Sequence, residues 1–216
     1  MIAHNSAGQG TATPLKVWNI PGMSVSSVNP AIEIRDNGDD DDDGDGAVSL
    51  KHIALNDADK KYVLAKDIAL GAGWSPVGTG SGAEAFTGKF YGNGHTITVN
   101  GNPLNKAYTG IFGYAEATEI RDLRVHYAAD TSAGASATNI GGLAGYAGGG
   151  TAVRNVLVTG GGALKYNGGG TPYIGGLLGR LEGTSAAPSS IENCYGGLSL
   201  DVTGSDPRAG ALRGIF

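Results

Sequence analysis

Apolar residues in this chain fall in short alternating segments, and the segments repeat. Gly110-Ile111-Phe112-Gly113 returns as Gly142-Leu143-Ala144-Gly145 and as Gly176-Leu177-Leu178-Gly179, with a degenerate fourth copy at Ala211-Leu212-Arg213-Gly214. The copies start at 110, 142, 176 and 211, steps of 32, 34 and 35 residues. A second block follows each of the first three. It reads Ile120-Arg121-Asp122-Leu123-Arg124-Val125, then Val153-Arg154-Asn155-Val156-Leu157-Val158, then Ile191-Glu192-Asn193-Cys194-Tyr195. Each holds an apolar residue, a polar one, Asp or Asn, and a second apolar one in register. Alternating segments bounded by turn residues predict strands. Glycine triplets at 148–150, 160–162 and 168–170 argue against helical repeats. A propeller blade would need about four strands in ~40–45 residues, and each repeat shows two or three in less.

The pattern therefore predicts an all-β chain folded as a parallel β-helix (β-solenoid), about one coil per 32–35-residue repeat. Equivalent residues should stack about 4.8 Å apart. Inward positions are narrow and suit Ile, Leu, Val, Ala and Cys. Glycine should serve the corners through positive φ. Asp122, Asn155 and Asn193 should form a ladder along one corner, each side chain bonding the next coil's backbone.

Composition agrees. Glycine makes up 39 of the 216 residues, well above the usual ~7%. Without a G-X-Y period the chain is not collagen, and 40% hydrophobic residues is too many for a wholly disordered chain. Net charge is −5. Asp36, Asp39 to Asp43 and Asp45 carry the excess, since the rest of the chain has 13 acidic residues against 15 basic. No basic stripe with interleaved aromatics is present, so nucleic acid is not an expected partner. Cys194 is the only cysteine. It allows no intrachain disulfide and reads as a small buried hydrophobe. No apolar run approaches the ~20 residues of a membrane span, and the start lacks signal-peptide regions.

The repeats resemble the GLUG motif, named for its Gly-Leu-x-Gly core. Gly142-Leu143-Ala144-Gly145 and Gly176-Leu177-Leu178-Gly179 carry the likeness, with Gly110-Ile111-Phe112-Gly113 as a first-repeat variant. The lead-in is similar too: Tyr62 to Ile68, Trp74-Ser75-Pro76-Val77-Gly78, and Phe86 to Ile97, where Tyr91 replaces a more usual Asp. The likeness covers residues 51–216. It implies a right-handed β-helix and an extracellular or cell-surface setting. Such repeats belong to large bacterial surface and secreted proteins, adhesin-like or non-catalytic parts of immunoglobulin-A-cleaving metalloproteases. It implies no reaction. Residues 1–50 lie outside it and are expected to be an N-terminal capping or linker segment with the acidic run. Ala209 to Phe216 begins a new coil and stops. The chain is thus expected to be a piece of a longer solenoid, or to self-associate end to end through its C-terminal edge.

Candidate chemistry is sparse. Asp39, Asp41, Asp43 and Gly44 match the start of a D-x-D-x-D-G calcium loop, with Asp45 beside them. An EF-hand needs an acid at loop position twelve, and that position here is Leu50. The four aspartates are thus candidates for a different calcium loop or a solvated acidic linker. His95 should sit at a turn entering a strand, packed or bound to backbone. His4, His52 and His126 lack metal-ligand spacing. No HExxH or GxSxG motif occurs, and Gly78-Thr79-Gly80-Ser81-Gly82 lacks the lysine of a phosphate loop. Tyr108, Tyr146, Tyr166 and Tyr173 either stack on sugars at the surface or fill corners between coils. The leading expectation is a non-catalytic stalk or binding surface of a bacterial cell-surface or secreted adhesin-like protein, its partner a host or cell-surface glycan or protein. Alternatives are an accessory domain of a secreted hydrolase, a carbohydrate-active β-helix enzyme, and a self-assembling filament subunit.

Overall fold

The computed structural model describes residues 31–36, 48–53, 60–71, 74–101, 104, 106–203 and 208–210. From Ile32 onward these belong to one compact unit. Helix is confined among them to single turns at Leu50–Ile53 and Gly82–Glu84. All the rest of the regular structure is strand, stacked as a β-solenoid of about four turns with roughly 33 residues per turn.

One turn shows how the sequence builds the coil. Glu119–Ala129 runs along the first and largest sheet. A short link leads to Thr131–Ala133 on a second sheet, then Asn139–Gly141 on a third and Ala144–Gly148 on a fourth. The next turn repeats this order as Ala152–Gly160, Ala163–Asn167, Tyr173–Gly175 and Leu178–Leu181. Each strand pairs in parallel with its equivalent one turn on. Ile120 lies beside Val153 and Val125 beside Val158, Ile140 beside Ile174, and Ala144 beside Leu178. The stack also reaches upstream of the expected boundary, because Ile32–Asp36 pairs in parallel with Lys61–Leu64.

The apolar-polar-Asx-apolar block has a backbone cause that the sequence only hinted at. A regular strand turns successive side chains to opposite faces, so residues three apart cannot both point inward. Here Ile120 and Leu123 are both buried, as are Val153 and Val156. The residue between them resets the alternation by adopting positive φ, 57° at Asp122, 52° at Asn155 and 52° at Asn193. Asn and Asp tolerate that conformation better than other non-glycine residues. The expected ladder is corrected in one respect. Asn155 Nδ2 donates to the Asp122 side chain, Oδ1, at 2.9 Å, so this rung runs side chain to side chain rather than to backbone.

The Gly-Leu-x-Gly block turns the chain from the third sheet to the fourth. Its apolar residue enters the core: Ile111, Leu143 and Leu177 are equivalent and buried. Its glycines need space, not positive φ, which corrects the expectation for these positions. A Cβ on Gly145 would lie 2.7 Å from both Asn139 O and Thr109 N. On Gly179 it would lie 2.6 Å from Ile140 N. The two sheets meet there backbone against backbone. Tyr127, fully buried, crosses the core and donates its hydroxyl to Gly142 O at 2.9 Å.

The core is not uniformly narrow. Early turns are filled by aromatics, with Phe112 packed 5.1 Å from Phe86 and 5.2 Å from Phe90 between ring centroids. Later turns use mainly Leu, Val, Ala and the buried Cys194, with Tyr127 as a large exception. Tyr166 is buried as well, its hydroxyl accepting from Gly170 N at 3.1 Å, so it is no surface platform.

Gly145→Ala should cost about 1–3 kcal/mol of folding stability, the range for overpacking a filled site. Gly169→Ala, where an added Cβ meets nothing within 4 Å, should change stability by under about 0.5 kcal/mol. Urea titration of the two variants checks both.

Candidate binding surface

Stacking equivalent residues turns single side chains into rows. On the first sheet Tyr91, Arg121, Arg154 and Glu192 are register neighbours. The Arg121 guanidinium lies 4.4 Å from the centre of the Tyr91 ring. Arg154 bridges coils, with Nε 3.1 Å from Glu192 and Nη1 3.4 Å from Glu119. On the second sheet Lys165 Nζ sits 2.6 Å from Asp130 and 3.7 Å from Asp201. These acids and bases hold adjacent coils to each other. His95 sits, as expected, at the turn entering the Thr96–Asn100 strand, but its ring faces a carboxylate rather than backbone: it lies 3.1 Å from Asp67 Oδ1, and the same oxygen accepts from Thr96 N at 2.9 Å. His126 instead faces Thr159 Oγ1 at 3.3 Å.

A different group of side chains gathers where the third and fourth sheets meet. Tyr114 and Tyr146 are register partners and stack with centroids 4.2 Å apart and planes 19° from parallel. Tyr108 meets Tyr114 edge-on at 4.9 Å and Tyr146 at 6.4 Å. The Tyr146 hydroxyl donates to Glu182 Oε2 at 2.7 Å. Arg180 pairs with Glu182 and lies 5.1 Å over the Tyr173 ring. Tyr173 and Tyr108 are both register neighbours of Asn139. Asn139 is only 5% exposed, and among the described residues its buried Oδ1 has no hydrogen-bond partner.

Of the four tyrosines read as sugar platforms or corner fillers, Tyr108 and Tyr173 are half-buried here, Tyr146 is buried but joined to this group, and Tyr166 is in the core. Sequence reading missed Arg180, Glu182, Asn139 and Tyr114. The repeat alignment held a signal, since Tyr114, Tyr146 and Arg180 each follow the second glycine of a copy. The calcium candidates Asp39, Asp41, Asp43 and Asp45 lie outside the described residues. Among the described residues no cluster of three or more His, Cys, Asp or Glu is placed to hold a metal ion. No described helix is long and apolar enough to cross a membrane.

Electrostatics follow from the pairing. The Lys165 ammonium and the Ala163 N–H hold Asp130 below the ordinary carboxylate range. Tyr146 and Arg180 do the same to Glu182. Burial and the neighbouring Glu182 and Tyr114 push the Tyr146 phenol up, so it remains a donor at neutral pH.

Comparison of the chain with protein families, curated proteins and solved structures returns no match.

A carboxylate whose folded pKa is depressed adds stability above its unfolded pKa of about 4 and loses it as pH falls through the lower folded value. Stability should therefore drop as pH falls below about 4. Asp130→Asn should make that drop shallower, as read from urea midpoints at successive pH values.

Proposed function

We propose that this chain is a non-catalytic segment of a bacterial cell-surface or secreted adhesin-like protein, acting as a stalk that also presents a binding surface. The observation that carries the reading is the parallel, in-register stack of coils. Each added coil extends such a rod by about 4.8 Å and meets only its neighbours, so length is gained without redesigning the core. The surface charges support the same reading. Glu119, Glu192, Asp130, Asp201 and Glu182 are engaged by arginine or lysine, mostly from an adjacent coil. Carboxylates used this way serve cohesion between coils. The Gly-Leu-x-Gly resemblance supplies the bacterial and extracellular part.

Duplicating residues 142–175 after Gly175 tests the stalk. Small-angle scattering should show a longest dimension increased by about 5 Å, with cooperative unfolding retained. An unchanged dimension, or loss of folding, would contradict it. The wild-type chain incubated with plant and bacterial polysaccharides should release no new reducing ends, and release would overturn the non-catalytic reading.

A further inference from the structure

We infer that Tyr108, Asn139, Tyr146, Tyr173, Arg180 and Glu182 form a binding subsite for a neutral hexose-based saccharide of at least two units. The inference rests on the binding-surface part of the proposed function and names its place and ligand.

The six residues form a closed circuit. Tyr108 packs on Tyr146, and Tyr146 donates to Glu182 at 2.7 Å. Glu182 pairs with Arg180, and Arg180 covers part of Tyr173. Tyr173 and Tyr108 flank Asn139 in one row. Tyr108 and Tyr173 are two coils apart, about 10 Å along the stack, which matches the length of a disaccharide. Half-buried rings at that spacing offer apolar surface to the C–H faces of successive sugar rings.

The polar groups select the chemistry. Arg180 and Glu182 cancel in charge, so the six named residues carry no net charge of their own. Their outward atoms still provide donors beside acceptors. A sugar hydroxyl both donates and accepts, and so fits that pair. Their exposure leaves them reachable, with side chains 41% and 43% accessible. Asn139 lies in the row between Tyr108 and Tyr173, with its Oδ1 buried and without a described hydrogen-bond partner. The stacked pair Tyr114 and Tyr146 fixes Glu182 in advance, so little ordering cost falls on binding.

The test titrates the full chain with cellotetraose, maltotetraose and N,N′-diacetylchitobiose, and with anionic polygalacturonate, following tyrosine fluorescence. At least one neutral sugar should saturate the signal. Tyr173→Ala and Glu182→Gln should each weaken that binding about tenfold or more, while Tyr195→Ala on the first sheet leaves it unchanged. Glu182→Gln preserves side-chain size and carries the test if Tyr173→Ala does not fold. The proposal is overturned if no neutral sugar saturates, if polygalacturonate is preferred, or if the two variants bind as the wild type does. Absent binding with the coil-duplication lengthening intact would remove the subsite and leave the stalk standing.

Discussion

Everything in this molecule depends on each coil hydrogen-bonding to the next in parallel register. That ladder pairs the backbones of successive coils, and it fixes which side chains become neighbours. Residues about 33 positions apart in sequence are brought to strand spacing. The repeat is what makes the register unique. A slip by one residue would turn Ile120, Val153 and their equivalents outward. A slip by a whole coil would leave one coil unpaired. Apolar rows, aromatic stacks and interstrand ion pairs are consequences of that registration.

The glycines make the ladder geometrically possible. At Gly145 and Gly179 the fourth sheet approaches the backbone of the third too closely for any Cβ. Leu143 and Leu177, two residues before these glycines, enter the core. Asp122, Asn155 and Asn193 solve a second problem on the first sheet, resetting the alternation so that one long run buries two sets of apolar residues. Small and strained positions thus stand at the bends, and the bulky residues stand between them.

Much of this was legible. The spacing of the Gly-Leu-x-Gly copies gave the coil period, and the glycine triplets excluded helices. What the sequence could not convey was the reason for each residue. A glycine required for positive φ and one required for close approach look the same in one dimension. The Asp122 row was recognisable as a ladder, but its positive φ was not. The candidate surface was the least legible part. Tyr173, Arg180 and Glu182 share one turn, but Tyr146 comes from the turn before and Tyr108 from the one before that, so the group forms only because the coils stack and no local motif marks it. Tyr166 illustrates the converse: its sequence context resembles that of the other tyrosines, yet the second sheet points it into the core.

The central claim is the linear, in-register stack, and one row tests it along its length. Lys61, Lys89, Glu119, Ala152 and Ser190 are successive register neighbours on the first sheet. Spin labels replacing Lys61 and Ser190 should lie about 19 Å apart at the backbone, four strand spacings, despite the length of chain between them. Moving the second label from Ser190 to Ala152 should shorten the distance by about 5 Å. Separations well beyond about 35 Å, or no orderly change along the row, would contradict the stack and everything derived from it.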